Sequence, residues 1–441
     1  MDNSLILEQI KQSKETTLAE TMWGKPANDI ITGIANNGNV LSNRAIWELV
    51  QNARDVSKVG EKSNIHFIRK QDEFIFKHNG QPFNDTSLLA LILQTSSKVR
   101  NDIVQVGQYG TGFLTTHKFG LRFKLQGSLS LADNRYYYNF GLKEDFLIDR
   151  HSKDKGELSQ SIKDQVDLSQ KWGLNESEWC DSPVNETIFT YLHDHKIEKD
   201  NVAVAFKKSP QLAPYVLALN PLIGCISFID EVDGNTEVYE YISSDEVANF
   251  GDTRMLYIKI KKTVNSVPSE ITLLLLQSNS KKEVNTGESK VTVILPYVLV
   301  DGNEAINQLS ADTPQLYLYL PLLGTENWGW NYIIHAPSFT CDKDTRDSLL
   351  FVGNGQNNDD QAENNKALIK LAGGMIEGFI DNNLDNYADR KHFGKVNFLR
   401  DVSEKLKPYY CALQEEWVSY FENQPLVRCN ESFINVSEIK V

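Results

Sequence analysis

Glu48-Leu49-Val50-Gln51-Asn52-Ala53-Arg54-Asp55, His78-Asn79-Gly80-Gln81-Pro82-Phe83 and Gly107-Gln108-Tyr109-Gly110-Thr111-Gly112-Phe113 are the runs that decide how the chain is read. All three fall within residues 42–120. In and before the first, Ile46, Leu49, Val50 and Ala53 recur at helical spacing and predict a buried stripe, with Ser42 as the helix N-cap. Glu48, Asn52 and Asp55, at i, i+4 and i+7, align along an adjoining flank. The second run ends a strand. Asn64 to Arg69 and Phe74 to Lys77 read as two strands about the polar turn Lys70-Gln71-Asp72-Glu73. Phe74, Phe76 and His78 share one parity, which brings His78 to the apolar side before Gly80 and Pro82 stop the strand. In the third run the glycines let backbone N–H groups approach an anion, and a helix beginning at Phe113 presents its positive end.

Working outward, residues 1 to 40 are polar and partly helical, broken at Gly33 and Asn36-Asn37-Gly38-Asn39. Leu88 to Leu93 reads as a short helix and Thr95 to Gly107 as a polar loop. Strands are predicted near 122–131, near 135–142 and over Glu186 to His193. The charged, weakly periodic segment 143–185 between them reads as a surface insertion. A first domain over 1–196 follows. Strand-like runs at Leu222 to Ile229, Glu237 to Ile242, Met255 to Ile260, Ile271 to Leu276, Val291 to Leu295 and Gln315 to Leu320 predict an α+β domain over 197–355. Residues 356–441 form a helical segment. Leu368, Leu371, Ala372, Met375, Ile376, Phe379 and Ile380 mark one amphipathic helix, Val396 to Phe421 hold a second, and Phe433 to Val441 read as a strand-like end.

A length of 441 residues suits two or three domains, and 41% apolar with 24% charged residues is ordinary for a globular protein. No apolar run approaches the roughly 18 residues of a membrane span, and the N-terminus lacks a secretory signal, so a cytoplasmic chain with no membrane partner is expected. The net charge of −14 argues against a broad nucleic-acid surface. Five scattered cysteines without metal-ligand spacing read as reduced thiols. His193-Asp194-His195 reads as a polar cluster at a strand end rather than a metal clip.

Hydrolysis of a nucleoside triphosphate needs cradled phosphates, a held magnesium ion and an aligned water. Asn52 offers an amide oxygen suited to magnesium, and Glu48, one turn earlier, suits positioning or deprotonating water. Read alone, each is equally a solvated helix-face residue. The order Gly107-x-x-Gly110-x-Gly112 is neither a P-loop nor a Rossmann fingerprint, and by itself also fits a glycine-rich hairpin turn. Lys98, in the preceding loop, reads as a phosphate contact or as a solvated lysine.

Taken in order, E-x-x-x-N on a helix, x-N-G ending a strand, G-x-x-G-x-G, and a later strand carrying threonine resemble the GHKL ATPases, the superfamily of Hsp90, gyrase B, MutL and histidine kinases. The match is nearest the Hsp90-like branch that includes the sacsin-type ATPase domains. It covers residues 40 to 195, and more loosely 200 to 380. The resemblance implies an N-terminal GHKL (Bergerat) α/β sandwich followed by a middle-type domain. Further, it implies ATP and magnesium as ligands, Glu48 activating water, Asn52 binding magnesium and Asp55 lining the pocket. Residues 94 to 112 would form a lid, with Lys98, Gly107, Gln108, Tyr109, Gly110, Thr111, Gly112 and Phe113 at the phosphates. Thr187, in Asn185-Glu186-Thr187-Ile188-Phe189, would join the base-site water network. The segments Tyr319 to Glu326 and Phe339 to Asp347 resemble those that follow the ATPase domain in this group, and Lys343 or Arg346 is the candidate for a cation completing the site.

One departure stands out. In the family's first glycine motif an aspartate accepts a hydrogen bond from the adenine amino group. Here His78 stands in that place, ahead of Asn79 and Gly80, and Pro82 replaces the second glycine. A neutral imidazole nitrogen or the Asn79 carbonyl can accept the same bond, each more weakly than a carboxylate. The expected function is magnesium-dependent ATP hydrolysis that drives lid closure and dimerisation, chaperone-like, as a homodimer or within a larger complex. The rival readings are an ATP-sensing module with negligible turnover and a DNA-associated ATPase of the MutL or gyrase B type.

Overall fold

The computed structural model describes residues 3–94, 112–131, 135–138, 140, 145–170, 179–278, 290–300, 302–326, 328–342, 348–353, 359–394, 396, 404–430 and 432–439. The chain is a mixed α+β protein with a large mixed sheet. It divides into two compact units. One comprises residues 1–211, 222–238 and 263–267, and the other comprises 212–221, 239–262 and 268–441. The contacts thus cluster differently from a partition at 196 and 355. Among the described residues, no helix is long and apolar enough to cross a membrane.

The first unit opens with α1 (Asn3–Ala19), a π-helical turn (Glu20–Gly24) and α2 (Lys25–Asn36). Gly33, expected to break this helix, lies inside it. A Cβ there would come within 2.4 Å of Leu114 Cδ1, so glycine permits a close approach of α2 to the segment carrying Leu114. Next comes α3 (Ser42–Asp55), whose Ile46, Leu49, Val50 and Ala53 are fully buried. Ser42 is not its cap. The helix enters from an extended Leu41, and the Ser42 hydroxyl donates instead to Asn201 Oδ1 at 2.9 Å.

The sheet of this unit is built from β1 (Ser63–Arg69), β2 (Glu73–His78), β3 (Arg122–Gln126), β6 (Phe146–Asp149), β8 (Thr187–Leu192) and β9 (Ile223–Asp230), in the order β9-β1-β2-β8-β3-β6. Smaller strands β4 (Ser128–Ser130), β5 (Tyr136–Tyr138) and β7 (Trp179–Cys180) form a separate sheet. Only β9 pairs parallel, with β1. The registers set Phe67 opposite Phe76, Phe76 opposite Phe189 and Phe123 opposite Tyr191, so the buried alternate positions share one face. That face is covered by α3, by α6 (Lys196–Lys208) and by a 3-10 helix, Gly112–Phe119.

Two expectations are corrected here. The segment expected to be a surface insertion supplies β6 and α5 (Lys155–Gln170). Leu158, Ile162 and Val166 of α5, four residues apart, are buried, and α5 packs on α2 and on α4 (Asp85–Leu93). Residues 222–229, expected in the second domain, are β9 of the first unit's sheet.

In the second unit, α7 (Ala213–Leu219) precedes a sheet in the order β17-β16-β18-β13-β12-β11-β10. Its strands are β10 (Asn235–Phe250), β11 (Thr253–Val264), β12 (Val267–Ser278), β13 (Thr292–Leu295), β16 (Leu316–Leu318), β17 (Leu320–Pro321) and β18 (Ile333–His335), while β14 (Tyr297–Val300) and β15 (Asn303–Ile306) form a separate hairpin. The helices α8 (Asp359–Asn383) and α9 (Lys407–Glu422) share one core with this sheet, through residues such as Leu274, Val293, Ile334, Leu368, Phe379 and Trp417. The Asn365 side chain, fully buried, hydrogen-bonds Thr340 and Leu350 on either side of 343–347.

Candidate functional site

The flank of α3 carrying Glu48 and Asn52 meets the 3-10 helix at Gly112. A Cβ built on Gly112 would lie 2.1 Å from Glu48 Oε2 and 2.7 Å from its Cδ, so the carboxylate rests directly on this α-carbon. No side chain larger than hydrogen fits there without displacing Glu48. Arg44, one turn earlier, places Nε 3.4 Å from Glu48 Oε1. Glu48 and Arg44 have side-chain exposures of 17% and 13%, so this pair is only partly screened by solvent. Asn52, half-buried one turn after Glu48, has no hydrogen-bond partner for its amide among the described residues. Asp55 ends the helix with its carboxylate 3.3 Å from Arg54 Nη1 and almost wholly buried.

Two hydroxyl contacts tie down the 3-10 helix: Thr115 donates to Gly112 O and Thr116 to Phe113 O, both at 2.7 Å. Tyr191 of β8 donates to Thr116 Oγ1 at 3.0 Å. Phe113 packs on His117, Phe123 and Phe189. Gly112 is thus fixed to the sheet from below while Glu48 covers it from α3.

At the other end of the flank, Gly80 approaches α3's terminus. A Cβ there would meet Val56 Cγ2 at 2.7 Å and Val56 O at 2.9 Å. The β2–β8 register pairs His78 with Thr187, and both are buried. The Thr187 hydroxyl lies 3.4 Å from the position of a Gly127 Cβ. Parity placed His78 on the buried face, and the structure agrees: it is 5% exposed and packs near Phe76 and Phe189. Burial lowers its pKa to about 4, so the ring is neutral near pH 7.

Both acceptors expected at this end are already committed. The Gly80 N–H donates to His78 Nδ1 at 3.1 Å, using the one lone pair a neutral imidazole offers. Asn79 Oδ1 accepts from the Asn64 N–H at 2.7 Å, and its Nδ2 donates to Lys62 O at 3.3 Å. Asn79 therefore serves the start of β1. The sequence shows neither bond, because both depend on how the turn after β2 closes.

The structure brings together Glu48, Asn52, Asp55, His78, Gly80, Gly112, Phe113 and Thr187 within one unit. Lys98, Gly107, Gln108, Tyr109, Gly110 and Thr111 lie outside the described residues, as do Lys343 and Arg346. Three neighbours were not anticipated: Arg44 on Glu48, Val56 against Gly80 and Gly127 beside Thr187. Only Arg44 carried a signal, its i, i+4 spacing to Glu48.

In the His193-Asp194-His195 run, His193 is held by its backbone N–H on Asp72 O at 3.0 Å, while its buried ring nitrogens have no hydrogen-bond partner among the described residues. Asp194 pairs with Arg122, and the Asp194 and His195 N–H groups donate to Glu198 Oε2 at 2.6 and 2.8 Å, closing the N-terminus of α6. Compared with known proteins, the chain matches no family model and no curated sequence.

Proposed function

We propose that the first unit is a GHKL-type nucleotide site of the Hsp90-like branch, which binds a nucleoside triphosphate with magnesium and hydrolyses it. The observation that carries this reading is the seating of the Glu48 carboxylate on Gly112, with the uncommitted Asn52 amide one turn away. Bare main chain at Gly112 leaves room for an anion to approach, and an amide and a carboxylate on the facing helical flank suit a metal ion and a water beside it.

The donor set fits magnesium, which takes oxygen ligands and retains waters, so that one amide oxygen with phosphate oxygens suffices. When bound, magnesium would supply charge neutralisation at the phosphates. Glu48 would hold the attacking water and accept its proton at a carboxylate oxygen. Asn52 would hold the magnesium through its amide oxygen, and Asp55 and Thr187 would bound the pocket through fixed polar atoms. Turnover would act as a switch of conformation and assembly state rather than as chemistry on a second substrate.

Glu48→Ala should retain nucleotide binding while phosphate release falls by about 10²- to 10⁴-fold. Undiminished release removes Glu48 from this role. Asn52→Ala should weaken magnesium-dependent binding in calorimetric titration, and unchanged affinity overturns the site.

A second reading, binding with negligible turnover, is favoured by Arg44, whose cation already occupies one side of Glu48. Arg44→Ala separates the two: a rise in phosphate release from near zero supports the sensing reading, and a steady or reduced rate supports hydrolysis.

A further inference from the structure

We propose that His78 makes the base end of this site selective for a purine with a carbonyl at position 6, as in guanine and hypoxanthine, over one with an amino group there. The inference rests on the nucleotide reading of the site.

The polarity of the site follows from the two ends of one helical flank. Glu48, against Gly112, marks the end where backbone and carboxylate suit phosphates and water. Val56, against Gly80, marks the other end, about 12 Å further along the helix axis at 1.5 Å per residue. Beside the Asp55 carboxylate, which Arg54 holds, the groups at that end are a neutral imidazole paired across the strands with a threonine hydroxyl and flanked by Phe76 and Phe189. Such a surface suits a base rather than a phosphate.

The tautomer then sets the preference. His78 Nδ1 accepts from the Gly80 N–H, so in the neutral ring the proton sits on Nε2. Among the described residues, nothing accepts a hydrogen bond from Nε2. The ring therefore offers an N–H donor. Moving the proton to Nδ1 would set two donors face to face at Gly80. A 6-oxo group accepts from Nε2–H, whereas a 6-amino group meets it donor to donor. Once a bound base covers Nε2, water cannot relieve that mismatch.

The experiment compares binding of non-hydrolysable analogues of inosine and adenosine triphosphate, with magnesium, to the full chain by calorimetry. These bases differ at position 6 and in the protonation of the neighbouring ring nitrogen. The inosine analogue should bind about 10- to 100-fold more tightly. His78→Asp, whose second oxygen is an acceptor, should reverse the order. His78→Asn can keep an amide oxygen on the Gly80 N–H while presenting an NH₂ donor, and should retain it.

Equal affinities, or tighter adenosine binding by the wild-type chain, overturn the inference and leave the site reading intact. Absence of binding by either analogue overturns the site reading and the inference with it. If His78→Asp fails to fold, judged by circular dichroism, the wild-type comparison decides.

Discussion

Gly112 and Glu48 are a matched pair: one has no side chain because the other needs the space. Gly112→Ala should therefore push the carboxylate off its seat. The expected outcome is a loss of phosphate release comparable to that of Glu48→Ala with the urea midpoint little changed, because the displaced group is the end of a flexible, partly exposed side chain. Retained release would show that the seat does not matter. His78 and His117 supply a test in pH. Burial is the main cause that lowers them, to about 4 and about 3, against 6.5 when exposed. Between these values the unfolded chain binds more protons than the folded one. The stability from neutral burial is complete above pH 6.5 and is lost as pH falls towards 4 for His78 and 3 for His117. For His78 the full loss is of order 3 kcal/mol. Urea midpoints measured from pH 7 to pH 4 should fall less in His78→Asn than in the wild-type chain; parallel curves would contradict this. At this scale the sequence reads well where a residue's neighbours are on its own element. The flank of Glu48, Asn52 and Asp55 and the parity of His78 are periodicities. The commitment of His78 Nδ1 and Asn79 Oδ1 is not, since it is set by turn closure and by a strand fifteen residues back.

The end of α4 depends on a buried cation. Arg150 is 2% exposed, and its guanidinium donates to Ile92 O at the last turn of α4 and, at 3.2 Å, to Gln165 Oε1 of α5. Desolvation lowers its pKa to about 10, which leaves it charged near pH 7. A cation at a helix C-terminus complements both the free carbonyls and the helix dipole. Arg150→Leu leaves those acceptors without a donor and should cost about 2–4 kcal/mol in urea denaturation; an unchanged midpoint would show that water replaces it. Neither α5 nor its tie to α4 was legible in the sequence. Four large apolar residues in a 16-residue polar helix give a weak periodic signal, even though three of them are buried. Of the second unit's strands, β10, β11 and β12 were found but cut short, while β14, β15 and β18 were not anticipated. Glu237 to Ile242 became Asn235–Phe250, and Ile271 to Leu276 became Val267–Ser278. Their extensions are largely exposed on both sides, and without a buried face the alternation that marks a strand vanishes.

Across the whole molecule, the chain passes between the two compact units five times, at 211/212, 221/222, 238/239, 262/263 and 267/268. No local pattern signals this, because strand pairing between residues 63–69 and 223–230 is remote in the chain. One consequence can be measured. A fragment ending at 211 retains every candidate site residue of the first unit but lacks β9, so β1 becomes an open edge. It should aggregate or melt well below a fragment ending at 238, and equal melting temperatures would show that β9 is dispensable. The same parallel pairing sets a timetable for synthesis. Residues 42–200 leave the ribosome with α3, β1, β2 and β8 complete, but β1 has no outer neighbour until a further stretch has emerged. At roughly 5–20 residues per second, that gap is a matter of seconds in which a hydrophobic strand lies uncovered. A nascent chain of this design has a built-in interval of dependence on whatever shields exposed strand edges in the cell.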